Sequence, residues 1–571
     1  MLLPFPLLAQ LVAPPLQQGP ARLPEQAPLQ QPPGRRPDGK PVLSEPAPPG
    51  GSQPAPSTPG PSPSAPGGRD ALPSVQGRTP YSPAQLDGIL RGCTTVKGSE
   101  PADREGLKAC AAALTARLMA DGYINSRVFI SPTPTGEGLE VVEGRIAEIR
   151  ITCPDPQLTA MVRRKLRPLI GSVLHLPTLQ RQLLLLKDQR GVGQVRGNLG
   201  KLGSDPTQAV LLLSLEAERL PWQGLIELRN DGDGGTGQWR SVATVLKNDL
   251  AIRGDTFLLY GEADGTSTPE LGSGVGSISY TLPLTPNLTF TDSFGISRRQ
   301  LVEATGILNS FSYRQLQNLA QLEWTVHDSL SDRWYAFAGL SANRNDGFIN
   351  GSSAPVVFGG GRDGWLSTGY LRAGLGFSSV QNRVAFSGSL YGLQGLAGMT
   401  NANQLSEMAA YGINPSQARA LAGQLGMSWG LSNTLRFNLS VAGQWAFAPL
   451  TPDMTFSVGS NNGLRGLPGS LISGDSGLLG TAELNWTIWR RQQQAVQLVP
   501  FIGAGAVRST RLSTTFNDGV GSGGLLARWI GGKHWVLDLG WVEQFSVDDN
   551  KGFWNNWLLD SGLYTKIQYR F

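Results

Sequence analysis

The stretch Thr434-Leu-Arg-Phe-Asn-Leu-Ser-Val-Ala-Gly-Gln-Trp-Ala-Phe447 alternates large apolar residues with small or polar ones. A period of two predicts a β-strand with one apolar and one polar face. In a soluble sandwich the polar face would meet bulk water, whereas in a membrane barrel it would line the lumen. Similar segments recur at 257–264, 370–377 and 383–391, so the C-terminal part of the chain is predicted to consist of strands.

The composition of this part favours the membrane barrel. All 14 tryptophans lie between Trp222 and Trp557, and charged residues make up only 16% of the chain, below the roughly 25% of soluble domains. No run of 18 apolar residues is present, so no spanning helix is expected. Residues 221–571 hold about sixteen hairpin-spaced segments, which suits strands of roughly 9–11 residues in an even-numbered barrel. A soluble propeller would show a fixed repeat, which the sequence lacks.

The same composition argues against an enzyme, a metal site and a nucleic-acid partner. The three histidines, His175, His327 and His534, are far apart and have no spaced partner, so neither a metal centre nor a Ser–His pair is expected. A net charge of +5 over 571 residues is small for a nucleic-acid binder. The glycine-rich segment 191–197 lacks the lysine of a phosphate-binding loop, so no nucleotide cofactor is expected.

The N-terminal part differs from the rest, because 22 of the 41 prolines precede residue 81. Residues 1–13 resemble the remnant of a secretory signal, without its positive start. Residues 14–78 are rich in Pro, Gly, Ser and Gln and predict a disordered linker.

Between the linker and the barrel, residues 79–145 and 146–220 each read as a small α/β unit with two helices. All three cysteines lie here. Cys93 and Cys110 flank a predicted helical hairpin, and they form either a disulfide or two buried thiols. Cys153 is predicted to be buried and unpaired.

Two segments in this middle region, Gly122-Tyr-Ile-Asn-Ser-Arg-Val-Phe129 and Val141-Val-Glu-Gly-Arg-Ile146, resemble the signature of the polypeptide-transport-associated (POTRA) domain. The resemblance is to the haemolysin and haemagglutinin secretion/activation proteins of two-partner secretion. It implies an all-β transmembrane 16-stranded antiparallel barrel with two N-terminal α/β POTRA domains. The residues matched to the motif are Gly122, Tyr123, Arg127, Glu143, Gly144 and Arg145.

A second resemblance lies late in the barrel. Phe456-Ser-Val-Gly459, Leu464-Arg-Gly-Leu467 and Gly474-Asp-Ser-Gly477 are similar to the family's long loop that folds into the lumen after strand 11. The positions assigned to it are Leu464, Arg465, Gly466, Leu467, Gly474 and Asp475. Arg465 would be the tip arginine, which bonds a carboxylate on the wall.

The sequence departs from the family at that carboxylate. The family pattern Phe-x-Asp-x-Gly is replaced by Pro500-Phe-Ile-Gly-Ala-Gly505, which puts Gly503 where the aspartate is expected. Glu483 and Asp538, both on the polar face of their strands, are the candidate substitutes, and Glu483 is preferred. The family's N-terminal plug helix would have to lie near residues 5–12.

The last segment, Leu563-Tyr-Thr-Lys-Ile-Gln-Tyr-Arg-Phe571, resembles the signal that outer-membrane barrels present to the assembly machinery, with Tyr569 and Phe571 on its apolar face. The resemblance implies a bacterial outer-membrane transporter whose POTRA domains capture an unfolded exoprotein in the periplasm. Its implied partners are that exoprotein, the barrel assembly machinery and outer-membrane lipid. The alternatives are an insertase for outer-membrane proteins and a passive porin.

Overall fold

The computed structural model describes residues 72–94, 104–133, 136–187, 191–218, 222–232, 236–266, 271–300, 311–329, 331–355, 359–361, 363–467, 472–511, 514–546 and 561–571. They fall into two compact units, one within 36–219 and the other in 220–571. The predicted signal remnant at 1–13, the plug-helix position at 5–12 and most of the linker 14–78 lie outside the described residues.

The N-terminal unit contains two modules with the same strand–helix–helix–strand–strand order. The first consists of β1 (Val75–Gly77), α1 (Pro83–Thr94), α2 (Arg104–Ala120), β2 (Arg127–Thr133) and β3 (Gly136–Val142). The second consists of β4 (Arg145–Thr152), α3 (Pro156–Leu166), α4 (Leu176–Lys187), β5 (Val192–Leu202) and β6 (Asp205–Ala217). In each module the first strand pairs in parallel with the last, and the middle strand pairs with it antiparallel.

The first module begins inside the predicted linker, so the boundary at residue 78 was placed too late. Strand β1 pairs with Leu139–Val141, and Leu72 and Val75 pack against the module's core. Strand β1 has only three residues and lies between Pro73 and Pro80. Three residues are too few to show a period of two, so the sequence pattern does not reveal this strand.

The C-terminal unit is a closed antiparallel barrel of sixteen strands. In chain order they are β7 (Gln223–Arg229), β8 (Trp239–Asn248), β9 (Thr256–Gly265), β10 (Leu271–Pro283), β11 (Leu288–Gln300), β12 (Phe311–Asp328), β13 (Asp332–Ile349), β15 (Trp365–Gln381), β16 (Val384–Gly395), β17 (Arg419–Gly430), β18 (Leu435–Ala446), β21 (Ser476–Arg491), β22 (Gln494–Arg511), β23 (Thr514–Gly531), β24 (Trp535–Ser546) and β25 (Leu563–Arg570). Three short strands and a helix lie between them, namely β14 (Ser352–Ser353), α5 (Ala402–Ala410), β19 (Phe456–Val458) and β20 (Ile472–Gly474).

The strands are more uneven than the sequence indicates. Strand β7 has 7 residues, whereas β12, β13, β22 and β23 have 18 each. Alternation continues wherever a strand has a solvated and a covered face, so it does not mark where the strand leaves the membrane. No helix in the described ranges is both long and apolar enough to cross a bilayer.

The two rims of the barrel differ. One carries short turns such as 382–383 and 492–493 and also holds both ends of the unit, since Gly224 pairs with Phe571. Eight exposed tryptophans lie at or near this rim: Trp222, Trp324, Trp334, Trp429, Trp486, Trp489, Trp529 and Trp535. Because tryptophan prefers the membrane interface, they form the aromatic girdle of this side. The longer connections lie at the opposite rim.

Candidate functional site

The connection between β18, the eleventh barrel strand, and β21 folds into the lumen. Its first part places Leu450 and Met454 against Tyr370 and Leu393, which point inward from β15 and β16. Its second part forms a hairpin in which β19 pairs with β20. The predicted inward loop therefore lies where the resemblance placed it, after strand 11.

A small apolar cluster holds the hairpin to the barrel wall. The hairpin contributes Val458, Leu464, Leu467 and Ile472, and the wall contributes Leu479, Val507 and Val520. Each of these side chains is at most 6% exposed, although the surrounding lumen is polar. Their burial gives the hairpin a fixed seat, because each buried aliphatic side chain contributes roughly 1.5–3 kcal/mol.

Arg465 lies at the tip of the hairpin and bonds Glu483 on β21. Its Nη2 atom lies 2.6 Å from Glu483 Oε2, and each side chain is 22% exposed. The guanidinium also stacks over the Phe501 ring at 5.6 Å. Glu483 Oε1 accepts further hydrogen bonds from Asn438 and Asn485, both at 3.0 Å. The two asparagine side chains hold the Glu483 carboxylate in the orientation in which it accepts the Arg465 guanidinium.

The surroundings of Gly503 leave no room for a carboxylate side chain at this position. A Cβ atom at this position would lie 2.5 Å from Leu464 Cδ2 and 3.0 Å from Thr481 Cγ2. The hairpin leucine therefore fills the space that an aspartate side chain would need. The preceding inward position on β22 is Phe501, which pairs in register with Glu483. The acid sits on the adjacent strand, and β22 supplies only the ring.

Two further loop glycines permit close contact with the wall. Gly466 has φ +73°, in the left-handed region, and a Cβ there would overlap Val542. A Cβ on Gly474 would lie 2.9 Å from Val507 Cβ. The neighbouring Asp475 joins the two ends of the loop, since its carboxylate accepts a hydrogen bond from the Leu450 amide at 3.1 Å.

Asp538 is not the contact partner of Arg465, which corrects the second candidate named from the sequence. Its carboxylate is fully buried and receives both ends of Arg528, at 2.7 and 3.0 Å. Lys566 on the last strand lies 3.3 Å from it and 4.0 Å from Glu227 on the first. Parity places both acids on the lumen side, but the hairpin tip reaches only Glu483.

A second contact to the loop was missed from the sequence. Arg240 on β8 is fully buried and bonds Asp264 of β9 at 2.7 and 3.0 Å. Its Nη1 atom also donates to the Ser460 hydroxyl of the loop at 3.2 Å. Strand parity could have predicted that Arg240 faces the lumen next to Glu262 and Asp264, which also face inward on the adjacent strand. No sequence motif includes these residues.

The POTRA-motif residues build the junction between the two modules. Gly122 ends α2 with φ +95°, and a Cβ there would lie 2.7 Å from Pro177. The Tyr123 ring packs on the His175 ring with centroids 4.7 Å apart. Arg127 donates to the carbonyls of Ile124 and Ser126, which closes the turn into β2.

The second half of the motif forms the other side of this junction. A Cβ on Gly144 would overlap Asn125, and the Gly144 amide donates to Ser126 Oγ at 2.9 Å. Arg145 bonds Glu143 at 2.7 Å and donates to the Gly171 carbonyl at 2.8 Å. Asn125, which the sequence did not single out, crosses between the modules to the Thr207 carbonyl at 2.8 Å. These contacts assign the motif to module packing.

The remaining candidate residues lie in the helix pair α1–α2 and at the seam where the first and last barrel strands meet. Cys93 and Cys110 form a disulfide that joins α1 to α2, with Cα atoms 5.1 Å apart. Cys153 is half-buried and free. At the barrel seam, Phe571 covers Gly224, where a Cβ would overlap its ring. The Tyr569 ring lies between those of Trp535 and Phe571, at 4.8 and 6.3 Å.

A closed barrel with a loop seated in its lumen, on a chain with two N-terminal POTRA modules, defines an outer-membrane transporter of the POTRA-plus-barrel type. The model of the haemolysin secretion/activation protein family ShlB/FhaC/HecB matches residues 208–525, more than half of the chain, and the chain belongs to this family. It is a two-partner secretion transporter, which moves a partner exoprotein across the outer membrane.

Solved structures agree in fold. CdiB from Escherichia coli is 16% identical, with a TM-score of 0.62 over 87% of this chain and 89% of that one. CdiB from Acinetobacter baumannii is 17% identical, with a TM-score of 0.59 over 99% and 96%. BamA from Haemophilus ducreyi lacking POTRA domains 1–3 is 11% identical, with a TM-score of 0.50 over 88% and 99%. No curated protein matches the sequence significantly.

Proposed function

We propose that the β19–β20 hairpin is the gate of the secretion path and that the Arg465–Glu483 ion pair is its latch. The observation that carries this proposal is the seat of the hairpin inside the lumen, with Arg465 Nη2 2.6 Å from Glu483 Oε2. An extended exoprotein needs the space that the hairpin occupies. The latch must therefore open, or the loop must leave its seat, during each transport event.

The strength of the latch suits a gate that reopens. Both partners keep about a fifth of their side-chain surface exposed, so water screens the pair and it is weaker than a fully buried one. A hydrogen bond to a charged group contributes roughly 1.5–3 kcal/mol. Contacts made by an arriving exoprotein chain can offset an energy of this size, so opening the latch would not need a nucleotide. Folding of the exoprotein outside the cell would then drive transport.

We further propose that the POTRA modules lie in the periplasm and bind the unfolded exoprotein by strand addition. Within the described residues, β2 pairs only with β3, and β5 pairs only with β6, whereas the start of β4 also bonds the 171–174 segment. An edge strand offers a row of backbone donors and acceptors to an extended chain with little demand on its sequence. The exposed Phe129 on β2 adds an apolar contact at one such edge.

The remaining parts of the proposal concern biogenesis and chemistry. Tyr569 and Phe571 would present the assembly signal to the barrel assembly machinery, and the exposed apolar strand faces would contact outer-membrane lipid. Transport would need neither an enzymatic step nor a cofactor.

The gate is tested by planar-bilayer conductance of the purified protein together with secretion of its exoprotein. We expect Arg465→Ala and Glu483→Gln each to raise the basal open probability several-fold, because either change breaks the same pair. The double variant should add little to the single ones, as coupled partners do. Asp538→Asn is the comparison variant, because it removes a lumen carboxylate that does not contact Arg465 and reaches Glu483 only through Arg528 and Asn485; its effect should be smaller. Equal conductance in the wild type and both latch variants would reject the gate.

A further inference from the structure

Three arginines lie on the outward face of the barrel at its long-loop end. Arg298 on β11, Arg314 on β12 and Arg344 on β13 are all exposed. Along each strand the arginine alternates with buried residues that point into the lumen. It therefore lies on the same outward face as exposed apolar side chains. Those apolar markers are Phe294, Ile296, Leu322, Trp324 and Leu340. The three guanidiniums therefore point away from the lumen, toward the surrounding membrane.

The arrangement concentrates positive charge. Arg298 and Arg314 are directly opposite each other in the β11–β12 register, a geometry that is unfavourable for like charges. Among the described residues neither forms an ion pair with a carboxylate. In the described part of the chain the acid beside them is Asp346, which is opposite Arg314 in the β12–β13 register and bonds Arg344 at 3.0 Å. Three positive charges thus face one negative charge.

Aromatic rings hold two of these arginines in place. The Arg314 guanidinium lies 5.1 Å over the Phe348 ring, and that of Arg344 lies 4.9 Å over the Trp365 ring. Stacked guanidiniums keep their planes fixed and still present their N–H groups at the edge. This arrangement suits bidentate recognition of a flat or tetrahedral oxyanion.

The height of the patch matches a membrane interface. Arg314 is ten residues from the girdle residue Trp324 along β12, and Arg344 is ten residues from Trp334 along β13. Ten residues of a strand tilted by about 40° rise roughly 25 Å, the height of the apolar band of an outer-membrane barrel. The patch therefore lies one band above the short-turn girdle, at the interface on the long-loop side.

We propose that Arg298, Arg314 and Arg344 form a binding site for the phosphate groups of an anionic lipid headgroup in the outer leaflet. The bound phosphate would neutralise the Arg298–Arg314 pair. It would also fix β11–β13 at the outer interface while the lumen is occupied by the exoprotein. A lipid headgroup, rather than a free ion, is indicated because the patch faces the bilayer at the depth where headgroups begin.

The test titrates full-length protein in dodecyl maltoside with lipid A that carries both phosphates and follows its unfolding temperature. A ligand that binds only the folded state raises the Tm. We expect the wild type to show such a rise, and dephosphorylated lipid A to need at least tenfold more lipid for the same shift. The triple variant R298Q/R314Q/R344Q should lose the shift. Its lipid-free Tm serves as its own baseline, because the substitutions remove the Arg298–Arg314 repulsion together with the Arg344–Asp346 ion pair and two cation–π contacts.

Arg419→Gln is the matched control, since Arg419 begins β17 at the same rim, is exposed, and donates to Gln394 outside the patch. It should keep the wild-type shift. If the triple variant does not fold, Arg298→Gln and Arg314→Gln are measured singly, and each should weaken the response. An equal shift with dephosphorylated lipid, or the same shift with millimolar inorganic phosphate, would overturn the lipid-headgroup site. An unchanged response in the arginine variants would also overturn it.

Discussion

Gly466 follows the latch arginine and controls whether the hairpin tip can approach the wall. Its backbone is left-handed at φ +73°, and Val542 occupies the place of a Cβ atom. Gly466→Ala should therefore strain the tip by about 1–2 kcal/mol and push Arg465 away from Glu483. We expect basal conductance to rise as in Arg465→Ala, with the barrel still folded on semi-native gels. Gly480→Ala is the control, because open space surrounds a Cβ there; equal effects of both substitutions would contradict this account.

The latch shows how far single residues could be read from the sequence. Arg465 was identified by its motif, and strand parity reduced its partner to Glu483 or Asp538. Strand parity predicts which side of the barrel wall a side chain faces, but not its height along the barrel axis or which residues lie next to it. It therefore could not decide between the acids on β21 and β24. The reason for Gly503 was also hidden, because it depends on Leu464, which arrives from a loop with no periodic pattern.

The helix pair α1–α2 depends on its disulfide. The Cys93–Cys110 bond closes a segment with a sequence separation of 17, and cross-links of this span contribute roughly 3 kcal/mol. The double variant Cys93→Ala/Cys110→Ala should increase hydrogen exchange of α1 amides by up to about two orders of magnitude. Mass spectrometry of the full-length protein measures this. Cys153→Ser should leave α1 unchanged, and wild-type protection in the double variant would show that packing alone holds the helices.

The seam between β25 and β7 is the shortest pairing among the sixteen barrel strands, with five residue pairs. Phe571 extends it by exchanging backbone hydrogen bonds with Gly224 and by covering that glycine with its ring. Phe571→Ala should cost roughly 1 kcal/mol from lost apolar contact and lower the heat-resistant folded fraction on gels. Phe447→Ala, at an exposed phenylalanine away from the seam, is the control. Equal losses would show a general effect of removing exposed rings.

Elements differ in how well the sequence predicts them. Strand β18 was predicted at 434–447 and spans Leu435–Ala446, because its alternation is uninterrupted and both ends carry turn residues. The three-residue β1 was missed, since its pairing with β3 is set by tertiary contact rather than by its own pattern. The POTRA motif predicts a set of residues, and the structure shows that they lie where the two modules meet.

At the scale of the whole molecule, secretion of one partner is the property that separates this transporter from an insertase or a porin. The inward loop occupies space in the lumen, and the two modules offer sheet edges, which a passive solute channel does not need. We expect deletion of the protein to remove one exoprotein from the culture medium and leave the other outer-membrane barrels at normal levels. Quantitative proteomics of both fractions measures this.

The same comparison can be made without deleting the chain, by locking the gate instead of removing it. Cysteines at both ends of the ion pair, Arg465→Cys and Glu483→Cys, lie too far apart for a direct disulfide, because the two long side chains span the gap. A bifunctional thiosulfonate reagent that bridges two thiols across this gap would fix the hairpin in its seat and can be removed by reduction. Secretion should then stop and resume after reduction, while assembly of other barrels continues throughout. The single variant Glu483→Cys controls for loss of the carboxylate. Undiminished secretion by the cross-linked protein would show that the exoprotein does not pass through the part of the lumen that this hairpin occupies.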